Sequence, residues 1–251
     1  MLVNAKSLTG YKLQSLDGEI GKVREFYFDD RFWAVRYLVA DTGGWLTGRQ
    51  VLISPYALIS ANTEEQHLTV DLTKKQIEDS PSLSSDKPVS LQFEESHFGY
   101  YGLSAYWNDL NRMGPAPDLM AGDRNPDGLP QDKADWDPNL RSTSAVIGHH
   151  VQASDDEIGH IEDFIIDDQT WAIRYLVVNT RNWLPGKKIL VSLQWVERVS
   201  WTEAKVYVNL PSEMIRTAPE YDDDSPITRE FEESLHQHFL HEGYWVEQPD
   251  Q

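Results

Sequence analysis

The chain has 251 residues, of which 25% are charged and 40% hydrophobic, a composition ordinary for a soluble globular protein of one large or two small domains. Its 41 acidic and 22 basic residues give a net charge of −19, which argues against binding nucleic-acid phosphates or an anionic membrane surface. Cysteine is absent, which excludes disulfides, thiolate nucleophiles and cysteine-ligated metal centres. The sequence contains no signal peptide and no membrane-spanning stretch, so we expect a cytoplasmic protein without membrane insertion.

The sequence matches itself without a gap when it is shifted by 138 residues. Residues 10–107 align with residues 148–245 at 34 identities in 98 positions, whereas chance predicts roughly one identity in sixteen. We therefore assign two copies of one unit, at residues 1–107 and 142–251. Residues 108–141 are rich in Pro, Gly and Asp and predict an extended or irregular linker.

Strand signals come first within each copy. Residues 20–28 roughly alternate apolar and polar side chains and end at an Asp-Asp turn signal. Residues 33–39 follow as a strand rich in aromatic and branched side chains, and 51–53 and 67–71 add two shorter strands. Short strands at this spacing are typical of a small closed or nearly closed barrel. The predicted fold class is mainly β with short α elements, in two tandem small antiparallel β-barrels.

Each barrel is predicted to be followed by a short helix and then by a C-terminal amphipathic helix. Residues 73–79 indicate one or two helical turns with Thr73 as the N-cap, and residues 211–217 are their counterpart. In the second copy apolar residues recur every four positions from 227 to 239, as on one face of a helix. The first copy keeps part of this stripe at Val89, Phe93 and Tyr101.

A long motif is shared by the strands of both copies. It runs from a lead-in glycine through Asp-x-Glu-Ile-Gly and an Asp-Asp turn to Trp-Ala-(Val/Ile)-Arg-Tyr-Leu-Val, and ends at a Leu-(Ile/Val)-Ser segment. Its residues are Gly21, Asp29, Trp33, Arg36 and Tyr37 in the first copy and Gly159, Asp167, Trp171, Arg174 and Tyr175 in the second. This motif resembles the PRC-barrel family, and with its later strands it would cover about 65–70 residues of each copy.

The PRC-barrel family is similar to the cytoplasmic domain of the photosynthetic reaction centre H subunit. It is also similar to the C-terminal domain of a ribosome maturation factor that binds a small-subunit ribosomal protein. The resemblance implies a tandem two-barrel, soluble bacterial protein whose barrels contact other proteins. The H subunit carries a transmembrane helix that this sequence does not show, so we expect no direct role in a membrane reaction centre. Such a motif indicates a fold and does not identify a reaction.

Two polar features of the motif have both a functional and a structural interpretation. The Asp-Asp pairs at 29–30 and 167–168 could bind a metal or act as an acid and a base. Aspartates between strands commonly bond the local backbone, so we favour a turn. Arg36 and Arg174 could bind an anion, but acids outnumber bases in this chain, so we favour ion pairs with nearby carboxylates.

Histidines are concentrated in the second copy. His236, His238 and His241 lie on the predicted C-terminal helix, with Glu242 beside them, and the other three are His149, His150 and His160. Zinc requires three or four convergent ligands, and one helix face brings together two of these histidines at most. The first copy has Phe98, Tyr100 and Leu103 at the corresponding positions. We therefore expect a solvated helix face, with no metal or cofactor.

Aromatic residues provide the candidate interface. Trp45 and Trp183 follow turn-like segments, and the pairs Tyr106–Trp107 and Tyr244–Trp245 close the two tails. These side chains either cap each barrel or anchor an interface, because they bury a large area at low entropic cost. We expect the two barrels to pack on each other, and a homo-oligomer is also consistent with a duplicated unit.

The sequence contains no nucleophile elbow, phosphate loop, dinucleotide-binding glycine pattern or zinc-protease motif. We therefore predict a non-enzymatic adaptor or scaffold for protein–protein contact, similar to the H-subunit barrel, whose protein partner is unidentified. The alternative is a small-ligand or metal-responsive sensor that uses a groove between the barrels or the histidine-rich helix. Residues 142–251 carry −12 of the net charge of −19, which favours a basic partner.

Overall fold

A computed structural model describes residues 1–44, 46, 48–62, 65–80, 139–180 and 186–246. The first part contains β1 (Leu2–Asn4), α1 (Ala5–Leu8), β2 (Lys12–Ser15), β3 (Gly18–Asp29), β4 (Ala34–Asp41), β5 (Gln50–Ile53), β6 (Leu58–Asn62), β7 (His67–Val70) and α2 (Lys74–Glu78). The second part contains β8 (Leu140–Ser142), α3 (Thr143–Val146), β9 (His150–Gln152), β10 (Glu157–Asp167), β11 (Ile173–Asn179), β12 (Lys188–Ser192), β13 (Val196–Ser200), β14 (Lys205–Val208), α4 (Ser212–Thr217) and α5 (Arg229–His238). No helix within these ranges is long and apolar enough to cross a membrane.

The described residues form two compact units, each built on one repeat. The N-terminal unit contains residues 5–80 and 139–144, and the C-terminal unit contains residues 1–4 together with the described residues from 145 onward. Each unit therefore includes a short strand that comes just before the aligned residues of the other repeat. We call β1 and β8 the lead-in strands. The last residues of the predicted linker are part of this arrangement, because Leu140 and Arg141 lie in β8.

Each unit is built on one seven-stranded sheet, and the two sheets have equivalent strand orders. The order is β5-β4-β3-β2-β7-β6 in the N-terminal unit and β12-β11-β10-β9-β14-β13 in the C-terminal unit. The seventh strand is β8 beside β3 in the first sheet and β1 beside β10 in the second. The mainly-β class with short helices is confirmed, and the internal repeat extends to the pairing of the strands.

The observed sheets differ in two respects from the predicted antiparallel barrels, which we expected to be closed or nearly closed. Each sheet is mixed, because β2 pairs parallel with β7 and β9 pairs parallel with β14. Each sheet is also open along its described pairing path, which runs from β5 to β6 and from β12 to β13. A 3₁₀ turn joins the two end strands in each unit, at Pro55–Ala57 and at Leu193–Trp195. Alternation along a strand reports which face is buried, so it cannot identify the neighbouring strand or its direction.

The core of the N-terminal unit lies around β3 and β4. Residues 34–40 of β4 are each at most 1% exposed, so this strand is buried on both faces. In β3 the buried positions Val23, Phe26 and Phe28 depart from strict alternation, because the ladder to β4 shifts register between Val23 and Glu25. A bulge of this kind lets a long strand bend while it keeps its large side chains inside. Complete burial of one such side chain contributes about 2–3 kcal/mol.

Threonine caps begin two of the helices, as the sequence predicted for α2. The Thr73 backbone N–H donates to Gln76 Oε1 at 2.9 Å, and the Gln76 N–H donates to Thr73 Oγ1 at 3.3 Å, which is a capping box. Thr228 caps α5 by accepting the Phe231 N–H at 3.3 Å. Both helices predicted after the second barrel are present, as α4 and α5. The tail helix predicted for the first copy, with its stripe at Val89, Phe93 and Tyr101, lies outside the described residues.

Candidate functional site

The motif glycines stand where backbones approach too closely for a side chain. Gly21 and Gly159 have φ of +138° and +154°. A Cβ at Gly159 would lie 2.0 Å from the carbonyl oxygen of Asn179, and a Cβ at Gly21 would lie 2.0 Å from that of Asp41. Only glycine accommodates this combination of φ and contact. These two residues therefore shape the sheets.

The motif aspartates hold the turns between the long strands. Asp29 Oδ1 accepts the Arg31 backbone N–H at 2.8 Å, and Asp167 Oδ1 accepts the Gln169 N–H at 3.0 Å. Asp167 Oδ2 also lies 3.2 Å from Arg174 Nη2, which is an ion pair of the kind predicted for this arginine. Burial raises the pKa of Asp167, but the bonds from Gln169 and Arg174 outweigh burial, and the net pKa is lowered. The structure therefore supports the turn interpretation of these aspartates.

The remaining motif residues are buried, apart from Arg174, which is partly buried. Trp33 and Trp171 have left-handed φ values of +50° and +60°, which are uncommon for large side chains. Trp33 is fully buried and stacks on Phe28 with 5.3 Å between ring centroids. Arg36 and Tyr37 are 1% and 0% exposed. These positions explain why the motif reports a fold.

A cluster of polar and aromatic side chains packs α5 and the residues after it against the sheet of the C-terminal unit. We call it the tail cluster, and it consists of Arg174, Tyr175, Trp195, Arg229, Glu232, His236, Tyr244 and Trp245. Strand β11 supplies the first two residues, and the 3₁₀ turn after β12 supplies the tryptophan. Helix α5 supplies Arg229, Glu232 and His236, and the segment after it supplies Tyr244 and Trp245. Glu232 and His236 are four residues apart on α5, so they project from the same helix face toward the sheet.

The Glu232 carboxylate is the centre of this cluster, and it is only 3% exposed. Tyr175 Oη donates to Glu232 Oε1 at 2.8 Å, and Tyr244 Oη donates to the same oxygen at 2.9 Å. Arg229 Nη1 lies 3.0 Å from Glu232 Oε2 and compensates the buried charge. Burial, followed by the negative charge of Glu232, raises the pKa of Tyr175 and raises that of Tyr244 to about 12. Both hydroxyls therefore remain protonated donors at neutral pH.

His236 extends the network along the helix, and it is 2% exposed. Its Nδ1 lies 3.0 Å from the carbonyl oxygen of Glu242, which can only accept, so Nδ1 carries a proton. Its Nε2 lies 3.1 Å from Tyr175 Oη. Burial lowers the pKa of His236, and the nearby His241 and Arg229 lower it further against the opposing Glu242 carbonyl. In the neutral ring Nε2 is an acceptor that competes with Glu232 for the tyrosine proton.

Two arginines hold the aromatic pair of the tail. The guanidinium of Arg174 lies 4.3 Å from the ring centroid of Tyr244, and that of Arg229 lies 4.0 Å from the Trp245 ring. Such contacts contribute about 0.5–2 kcal/mol each, depending on burial. Tyr244 and Trp245, predicted as candidate interface residues, are thus partly buried and packed within their own unit. The capping interpretation of this pair therefore has direct structural support, and an interface role stays a prediction.

The other candidate interface residues lie outside the described residues. They are Trp45, Trp183, Tyr106 and Trp107. Their contribution to an interface therefore stays a prediction.

The prediction that the histidines occupy a solvated helix face was wrong for His236. The buried face of α5 contains Glu232, Leu235 and His236. Glu232 is bonded there by Tyr175 and Arg229, and His236 by the carbonyl oxygen of Glu242. His238 Nε2 bonds the Met214 carbonyl at 2.8 Å instead of converging on the other rings. Over the ranges that the structure describes, no three His, Asp or Glu side chains are arranged to hold a metal ion.

Sequence reasoning did not identify Glu232 and His236 as a buried pair. Their spacing of four places both on one face of the helix but does not show whether that face is buried. Polar residues are rarely buried without partners, and the partners come from a distant strand and from the tail. The apolar stripe therefore predicted the helix correctly, but it did not show that two polar residues also lie on the buried face.

Comparison with known families identifies a domain in the C-terminal part of the chain. The model of the PRC-barrel domain matches residues 139–215, which run from the start of β8 into α4. No curated protein matches the chain. A PRC-barrel domain is therefore present at these residues, and the tail cluster joins that domain to the segment that follows it.

Proposed function

We propose that the protein is a non-enzymatic adaptor that binds a protein partner at the end of its C-terminal unit. The observation that carries this proposal is the state of Leu240, which directly follows α5 and its C-cap. This leucine is 85% exposed and has a left-handed φ of +58°. Exposure removes the hydrophobic gain of a leucine, and the backbone conformation adds strain, so folding alone does not account for this residue.

The backbone around Leu240 is a Schellman motif, in which glycine is the usual residue. The Leu240 N–H donates to the Gln237 carbonyl at 3.1 Å, and the His241 N–H donates to the His236 carbonyl at 3.0 Å. This pattern of bonds places Leu240 at the position after the helix cap. A side chain in the left-handed region costs about 1–2 kcal/mol, which glycine avoids. The corresponding residue of the first repeat is Gly102.

The tail cluster holds this leucine in a defined position. Phe239, the residue before it, packs on Trp195 with 4.5 Å between ring centroids, and His241, the residue after it, stacks on the same ring at 5.7 Å. A second large apolar side chain, Val246, is 47% exposed at the end of the described tail. A side chain presented on an ordered backbone binds a partner at little cost in conformational entropy.

Charge indicates the chemistry of the partner. Glu233 and Glu242 are exposed on either side of Leu240 in the sequence, and residues 142–251 carry a net charge of −12. A partner segment with apolar residues flanked by Lys or Arg would match both the leucine and its acidic surroundings. We therefore propose a basic, amphipathic protein segment as the ligand.

We further infer that the first repeat is a second PRC-type domain. Support comes from the 34 identities between the aligned repeats and from the equivalent strand orders of the two sheets. The register of the parallel pair is also equivalent, since Leu13 faces Leu68 in one unit and Val151 faces Val206 in the other.

The test compares two leucine variants of the full chain in affinity capture from the native cell, with quantitative identification of the bound proteins. Leu240→Gly should leave the free energy of unfolding unchanged or raise it by about 1 kcal/mol, and it should remove the partner. Leu16→Ala is the matched control, because Leu16 is also exposed, at 58%, but lies in the N-terminal unit. Capture should also weaken as salt is raised. Equal recovery of every protein with Leu240→Gly and with wild type would refute the proposal.

A further inference from the structure

The two lead-in strands occupy equivalent places in the repeats, and each completes the sheet of the other repeat. Strands β1 and β8 begin 138 residues apart, which is the offset of the repeat itself. Strand β1 pairs antiparallel with β10, and β8 pairs antiparallel with β3. Each sheet therefore receives its seventh strand from the segment that precedes the opposite repeat.

The hydrogen bonds at the two acceptor edges are equivalent as well. In the C-terminal unit the backbone N–H of Asp168 donates to the carbonyl oxygen of Met1 at 3.0 Å. In the N-terminal unit the backbone N–H of Asp30 donates to the carbonyl oxygen of Asn139 at 2.8 Å. Every residue pair in one ladder corresponds to a pair in the other at the offset of 138. The same local structure has thus been built twice, each time with a strand from outside the repeat.

Side chains add to the recognition of the lead-in strands. Leu140 of β8 is 7% exposed and packs in a cluster with Tyr37 and Leu52, and Arg141 Nε lies 2.8 Å from Asp30 Oδ2. Apolar packing and an ion pair beside the acceptor edge thus add to the backbone pairing of β8.

We propose that the acceptor edge of β10 also binds strand β1 of a second copy of this chain, so that two copies associate by strand exchange. The contacts are the same whether β1 comes from the same chain or from another, so only effective concentration separates the two arrangements. The covalent connection between Ser80 and Asn139 contains 58 residues. Exchange between chains should therefore appear when chains refold at high concentration.

Cysteine pairs test this proposal directly, because the chain contains no cysteine of its own. Val3 and Ile166 are partners in the ladder between β1 and β10. Paired antiparallel residues place their Cα atoms about 4.5–5.5 Å apart, which is within disulfide range. Full-length chains carrying Val3→Cys are mixed with chains carrying Ile166→Cys, unfolded under reducing conditions, and refolded under oxidation at about 1 μM and about 1 mM. We expect a disulfide-linked heterodimer whose yield is at least tenfold higher at the higher concentration.

Two controls make the result decisive. A mixture of Val3→Cys with Ile59→Cys measures random collision, because Ile59 is 57% exposed on β6, which pairs with β7. The double variant Val3→Cys/Ile166→Cys, refolded at the lower concentration, should close its disulfide within one chain. If it does not close, the pair Arg141→Cys and Phe28→Cys applies the same test at the other acceptor edge. Heterodimer yields equal to the collision control at both concentrations, with the single-chain disulfide closed, would overturn the proposal.

Discussion

Replacing Glu232 with alanine removes the acceptor at the centre of the tail cluster. The carboxylate is 3% exposed and accepts from two tyrosine hydroxyls, while an arginine compensates its charge. After Glu232→Ala the hydroxyl of Tyr175 retains one neighbouring acceptor, Nε2 of His236 at 3.1 Å. The hydroxyl of Tyr244 and the guanidinium of Arg229 are closer to solvent, so water can replace part of what they lose.

The expected loss follows from these differences in burial. A buried donor that loses a charged acceptor costs about 1–3 kcal/mol, and a partly exposed donor costs less. Arg229 is 46% exposed, so its contribution is small. We therefore expect Glu232→Ala to lower the free energy of unfolding of the C-terminal unit by about 3 kcal/mol. This change corresponds to a factor of about 150 in the unfolding equilibrium.

Urea denaturation followed by tryptophan fluorescence measures this change, since Trp195 and Trp245 lie in the cluster. Glu233→Ala is the matched control, because it makes the same substitution one position along α5 at an exposed residue and should shift stability by less than about 0.5 kcal/mol. A double-mutant cycle with Tyr175→Phe should give a coupling energy of about 1–2 kcal/mol. Equal losses from the two alanine variants would refute the view that the carboxylate fastens the tail.

Two further predictions concern the sheet and the pH dependence of the tail. Gly159→Ala should lower the free energy of unfolding by more than about 2 kcal/mol, because the new Cβ would lie 2.0 Å from the Asn179 carbonyl oxygen. Gly44→Ala is the control in the same denaturation assay. It should leave the free energy of unfolding nearly unchanged, because no atom lies within 4 Å of its Cβ. The pKa of His236 is lower in the folded protein than in the unfolded chain. As pH falls through about 6.5, the unfolded chain therefore binds a proton before the folded protein does. The free energy of unfolding should decrease as pH falls below about 6.5. His236→Gln should flatten the stability profile between about pH 5 and 7 relative to the unsubstituted chain, and identical slopes for the two would contradict this reasoning.

Local chemistry explains why part of the tail cluster was predictable. The apolar residues that recur every four positions from 227 to 239 all lie within one short stretch of sequence. They correctly indicated an amphipathic helix after the second barrel, observed as α5. The partners of Glu232 could not be deduced in this way, because Tyr175 lies 57 residues away on β11. A polar residue reveals its burial only when its distant partner is known.

The duplication, the strands, the turn aspartates and the helix caps follow from the sequence, because each depends on residues that are close together in the chain. The choice of sheet for β1 and β8 was decided only in the tertiary structure. Strands of three residues carry too little pattern to specify a partner, and the two acceptor edges present equivalent backbone bonds. The parallel pairing of β2 with β7 and of β9 with β14 was decided there as well, since it depends on how the hairpins return across each sheet. Long-range pairing is a property of the whole fold, so neither arrangement leaves a local trace in the sequence.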